Sequence, residues 1–140
     1  MAGETRLTIT GNLTADPEIR TINTGSTVAS FTIASTTRVY NRQTGQYDDG
    51  PTLFMRCSAW NDLATHASQT LAKGMRVIAE GRLQQRTYQT QDGGNRTITE
   101  LQIDDIGPSL RHATAQVTRS QPRQPLQPTQ PIPNDGWPNQ

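Results

Sequence analysis

Cysteine is nearly missing from this chain: Cys57 stands alone among 140 residues, so no intrachain disulfide can staple the fold. There is also no apolar run approaching the roughly 18 residues that a membrane-spanning helix requires. The N-terminal MAGETRLTIT lacks the basic start and apolar stretch of a secretory signal. Together these absences predict a cytoplasmic protein without a membrane partner. Charge of one sign is scarce too, the formal net charge being only +1. A bulk polycation is thereby excluded, but a basic channel on a near-neutral body is not. Aromatics make up only 5% of the residues, so their placement carries the more weight.

That placement is not random. In the segment 51–60, PTLFMRCSAW, the residues Phe54, Arg56 and Trp60 share one parity, while Leu53, Met55, Cys57 and Ala59 share the other. In 82–88, RLQQRTY, the side chains Arg82, Arg86 and Tyr88 fall together, and Arg38 and Tyr40 do the same at the end of TTRVY. Successive strand side chains point to opposite faces, so each strand would offer rings and guanidinium groups on a common side. Such a surface suits unpaired bases on a phosphate backbone. Cys57, on the opposite parity, is expected in the core.

The order of elements is legible as well. Residues 6–13 alternate Leu7 and Ile9 and then reach Gly11, as a half-buried strand with a tight bend does. Asp16-Pro17-Glu18 reads as a turn. The run 27–40 puts Ala29, Phe31 and Ile33 on one face, and the Gly- and Asp-rich stretch 41–51 reads as a loop between antiparallel strands. After the strand 51–60 the period changes: Leu63, Ala67 and Leu71 recur every four residues, with Asn61 as N-cap and Lys73-Gly74 at the stop. Strand character returns over 75–90, with Val77, Ala79, Gly81 and Leu83 inward. Asp92-Gly93-Gly94-Asn95 marks a hairpin, and 96–106 returns with Leu101 and Ile103 inward. Three strands, a short helix and two strands predict an all-β fold: a five-stranded antiparallel oligonucleotide-binding barrel, with the helix between the third and fourth strands. Residues 1–113 form that domain. Residues 114–140 hold six of the nine prolines and much glutamine, and read as a disordered tail.

Five blocks in this order and spacing carry a family resemblance: GNLTADPEIR (11–20), VASFTIAST (28–36), FMRCSAWNDLATHASQTLAKG (54–74), GRLQQRTY (81–88) and IDDIGPSLRHATAQV (103–117). Over residues 1–117 the chain resembles the bacterial single-stranded DNA-binding proteins of the replication type, most closely actinobacterial members. The resemblance implies sequence-independent binding and protection of single-stranded DNA in replication, recombination or repair, by a nucleoid-associated homotetramer. By position it implies stacking aromatics at Phe54, Trp60, Tyr88 and Tyr40. Family positions that are often tryptophan are Phe54 and Tyr88 here. The acidic, hydrophobic tip that recruits partner proteins in major members reads here as NDGWPNQ (134–140), beside Arg119 and Arg123. Weak or altered recruitment of replication and repair proteins is the expectation.

Arg56, Arg82 and Arg86 are the leading phosphate contacts, followed by Arg38 and Arg96. Arg20, Arg42 and Arg76 read as ordinary surface charges, and Tyr47 as a solvated loop residue. Catalysis is not expected: Asp48-Asp49 and Asp104-Asp105 look like turn or strand-end residues. His66 and His112 lack a second ligand at metal spacing, and no phosphate-loop or nucleophile-elbow pattern occurs. No cofactor or metal is implied. A barrel that binds RNA, a primosomal-type accessory protein, and a protein-contact module remain alternatives, since a barrel alone does not tell RNA from DNA.

Overall fold

The computed structural model describes residues 3–120, and the expectations placed on Arg123, Trp137 and the rest of 121–140 lie outside them. Seven elements follow in order: β1 (Thr5–Leu13), β2 (Glu18–Thr21), β3 (Thr27–Asn41), β4 (Gln46–Trp60), α1 (Asp62–Thr70), β5 (Arg76–Gln89) and β6 (Asn95–Pro108). The hydrogen-bonded order is β1-β5-β6-β4-β3-β2, and β1 pairs also with β3, so the five long strands form a ring. This is the oligonucleotide-binding architecture that the element order predicts. The short β2 is an addition; it follows the Asp16-Pro17 turn and lies antiparallel to β3 through Glu18↔Ser30 and Thr21↔Thr27.

The ring is built from two long hairpins, β3–β4 and β5–β6, joined by much shorter seams on one side and at the closure. The β4–β6 seam is parallel and spans only Arg56↔Glu100 to Ser58↔Gln102. The β1–β3 closure pairs only Asn12↔Ala34 and Leu13↔Ile33. Where the strands cross so closely a Cβ has no room. A methyl at Gly11 would stand 2.3 Å from the Ala34 carbonyl oxygen, and one at Gly81 would stand 2.2 Å from that of Gln102. Gly81 adjoins a register shift in β5–β6, so these two glycines let the sheet bend onto itself.

Period-two alternation selects the core. Ile9, Ala29, Phe31, Ile33, Met55, Cys57, Ala59, Val77, Ala79, Leu101 and Ile103 are all buried in one cluster. The helix adds Ala64 and Ala67 to the same cluster and Leu71 follows at its C-cap, spacings of three and four residues being those of one helical face. Its first turn carries Asp62, which suits the positive end of the helix, but Asn61 makes no side-chain cap. Asn61 instead adopts a left-handed backbone (φ 59°), and its side-chain oxygen accepts a hydrogen bond from the Thr27 amide. The chain stops being helical at Leu71, before Lys73-Gly74.

Two expectations are corrected beyond the barrel. The stretch 41–51 is not a loop: β3 runs to Asn41 and β4 starts at Gln46, so the hairpin is a long ribbon turning at 42–45. The acidic pairs Asp48-Asp49 and Asp104-Asp105 therefore lie within strands. Leu53 is exposed, although it shares parity with buried Met55, because the ribbon has left the core at that point. Residues 114–120 carry no helix or strand and are exposed.

Candidate nucleic-acid interface

Partners in register share a face, so the pairings define the outer wall of the ring. On β3–β4, Phe54 stands opposite Ala34, Arg56 opposite Thr32 and Trp60 opposite Val28. On β5–β6, Tyr88 stands opposite Arg96, Arg86 opposite Ile98 and Arg82 opposite Gln102. The short parallel seam joins the two hairpins on the same side, Arg56 meeting Glu100 and Ser58 meeting Gln102. The residues singled out by parity thus share one wall. Phe54 is 63% exposed, Trp60 40% and Tyr88 45%, and all three lie apart from the buried cluster. Exposed rings of this size, grouped on one surface, are the informative departure from ordinary burial.

Trp60 is oriented as well as exposed. Its indole Nε1 donates to Oε1 of Gln102 at 3.0 Å, across the β4–β6 seam. One edge of the ring is thereby tied to the second hairpin. Ser58 and Glu100 lie between the rings on the outward parity yet are buried, forming the floor of the wall.

At the ribbon tip the register shifts between Thr36 and Arg38, because β4 spends two residues, Gly50 and Pro51, where β3 spends one. Beyond this bulge the parity of β4 inverts. Tyr47 and Asp49, not the even-numbered residues, stand opposite Tyr40 and Arg38. Tyr40 (52% exposed) and Tyr47 (61%) meet edge to face with ring centroids 5.3 Å apart. Tyr47 is therefore part of a paired aromatic tip rather than a loop residue. The signal that would have found it is Pro51 inside a strand, since proline in a ladder marks an edge or a bulge.

The arginines divide by what already holds them. Arg82 Nη1 lies 3.2 Å from Oε2 of Glu4, and its Nε lies 3.2 Å from Oδ1 of Asp104. The Glu4 hydrogen bond first, and then the Asp104 charge, raise its pKa. Asp104 also receives Arg6 at 3.0 Å, so these side chains strap β1 to β5 and β6. Arg86 Nε lies 3.0 Å from Oε1 of Glu100, and Arg38 Nε 3.7 Å from Oδ1 of Asp49. Arg56 and Arg96 are exposed and make no ion pair among the described residues. Both have all guanidinium donors ready for an incoming anion. At the β5–β6 turn, hydrogen bonds from the Thr90 hydroxyl and then the Gly94 amide hold the Asp92 carboxyl below its usual range.

Among the described residues no three His, Cys, Asp or Glu side chains are grouped to share a metal ion. No described helix is long and apolar enough to cross a membrane. Cys57 is buried, and burial pushes its thiol up to about 12, away from nucleophilic use.

Comparison with known proteins agrees with this fold. Residues 4–109 match the single-strand binding protein family. A single-stranded DNA-binding protein of Bifidobacterium longum is 73% identical over 119 residues, which are 85% of this chain and 55% of that protein. The chain thus spans just over half the length of that relative. A single-stranded DNA-binding protein of Mycobacterium tuberculosis is 52% identical over 120 residues, covering 86% of this chain and 73% of its own length. Among solved structures, the small single-stranded DNA-binding protein of Streptomyces coelicolor superposes with a TM-score of 0.67 at 34% identity. That match covers 79% of this chain and 97% of the other.

Proposed function

The chain belongs to the single-strand binding protein family, and from that premise we propose that it binds and protects single-stranded DNA, without regard to sequence, along the outer wall of its ring. The observation that carries the reading is the set of exposed rings Phe54, Trp60, Tyr88 and Tyr40 beside unpaired Arg56 and Arg96. Bases stack on the rings, each contributing about 1–3 kcal/mol, and any base serves because each presents a π face. The guanidinium groups hold phosphates, and can lie flat on a base as lysine does less readily. A duplex hides its base faces in its own stack, so it meets only the charges.

Arg56 and Arg96 take phosphates first, since neither has to release a carboxylate. Arg38, Arg86 and Arg82 contribute in falling order, as each must release a carboxylate, and Arg82 must release two. The protein works as a homotetramer in the cytoplasm, associated with the nucleoid, and serves replication, recombination or repair without catalysing a reaction. Gel filtration with light scattering tests the assembly. Titration with oligo(dT), read by tryptophan fluorescence, tests the binding: stoichiometric quenching that weakens as salt rises supports it. Equal affinity for a blunt duplex, or better retention by poly(U) than by poly(dT), refutes it.

A further inference from the structure

Arg76, which reads in the sequence as a surface charge, occupies a quite different setting. Between β1 and β3, where the ring closes, the outside of the barrel carries a polar cleft of about 350 Å³ whose lining includes Arg38, Arg76, Arg111, His112 and Asp49. Three guanidinium groups face a single carboxylate. That carboxylate already belongs to Arg38, so Arg76 and Arg111 have no ion pair among the described residues. Arg76 Nε is also fully buried and makes no hydrogen bond. A buried donor without an acceptor costs about 1–3 kcal/mol, so the Arg76 guanidinium is held at the cleft with bonding capacity unspent. Two charged-group donors in a cleft with three guanidinium groups to one carboxylate suit a tetrahedral oxyanion.

The cleft also adjoins the candidate wall. Ala34 lines it and is the register partner of Phe54, one strand away. Arg38 lines it and stands two residues before Tyr40 on the same side of β3. A base lying on Phe54 would thus sit one strand spacing, about 5 Å, from a residue that lines the cleft.

We propose that this cleft is a phosphate-binding subsite, in which Arg76 and Arg111 hold a backbone phosphate of the strand whose bases stack on Phe54. The proposal rests on the single-strand reading given above and adds a second track to it, around the side of the barrel. The test uses the full chain with Arg76→Gln, Arg111→Gln and Phe54→Ala, titrated with oligo(dT) over a series of salt concentrations. Each arginine variant is expected to make the logarithmic salt slope shallower by about 0.7, the value of one phosphate contact on a single strand. Their quenching amplitude stays that of the parent. Parental slopes in both variants would overturn the subsite. Arg111 is exposed on coil, so Arg111→Gln decides the matter even where Arg76→Gln melts early. A free phosphate is the other source of the same chemistry. Inorganic pyrophosphate that raises the parent's melting temperature but not that of Arg111→Gln, with the salt slope unchanged, would assign the cleft away from the strand. Parental affinity in Phe54→Ala would sink the stacking reading instead, leaving the slope of the arginine variants to judge the cleft by itself.

Discussion

Glu100 is the acid most out of place on the wall proposed to take phosphates, and neutralising it gives the sharpest prediction. Its side chain is only 9% exposed, its carboxylate receives Arg86 at 3.0 Å, and it is the register partner of Arg56. In Glu100→Gln the amide oxygen still accepts from the charged Arg86, but the ion pair is lost, which costs about 1 kcal/mol of stability. For a domain of this size that lowers the melting temperature by roughly 4 °C. Binding moves the other way. Removing one negative charge about 8 Å from a phosphate relieves roughly 0.5 kcal/mol at the dielectric of water and about 2 kcal/mol at an effective value of 20. Affinity for oligo(dT) should rise by roughly 2- to 30-fold. With Arg86 no longer neutralised, the logarithmic salt slope should steepen by about 0.7. Scanning calorimetry and fluorescence titration read the two effects separately. Lower affinity at an unchanged slope would refute the placement of the strand across β4 and β6.

Phe54→Ala, at a ring well out in solvent, should cost about 1–3 kcal/mol of oligo(dT) binding while the melting temperature stays within a degree or two. A large thermal loss would mean the ring is structural. Trp60→Phe keeps a stacking face but removes the donor to Gln102; binding should weaken several-fold less than in Trp60→Ala, as judged by anisotropy of a labelled strand. Gly11→Ala forces a Cβ to within 2.3 Å of a backbone oxygen, and should cost about 3 kcal/mol in urea unfolding. The Cys57 thiol should resist aromatic disulfide reagents at pH 8 until the protein unfolds. Its folded pKa, about 12, lies above the ordinary value of 9.0, so the proton is retained longer in the folded state. The stability this contributes is full below pH 9 and is lost as pH rises from there towards 12, measurable as a falling urea midpoint.

Parity was enough to sort the barrel proper. Met55, Cys57 and Ala59 went in and Phe54, Arg56 and Trp60 stayed out because both are consequences of a pleat repeating every two residues. The same count failed at Leu53, where the strand continues past the core; Tyr47, read as a solvated loop residue, is exposed but belongs to a strand, beyond Gly50-Pro51, whose extra residue inverts the sides. Counting has no term for either event. Ion pairing was hidden for a related reason: that Arg86 meets Glu100 and Arg82 meets Asp104 depends on the β5–β6 register, which one strand's pattern does not contain. Arg76 looked ordinary because the cleft it lines exists only where β1 closes on β3, a contact between residues more than forty positions from it in the chain.

The seam between β4 and β6 is three residue pairs long, while each hairpin it joins is zipped over its whole length. Such a joint is the first place the ring should breathe, and amide exchange at 56–58 and 100–102 should outpace that of the flanking ladders. A polymer lying from Phe54 and Trp60 to Arg86 and Tyr88 crosses that joint like a suture. Occupancy would then slow exchange at the seam more than at the rings it touches, making the ligand a missing brace of the barrel itself.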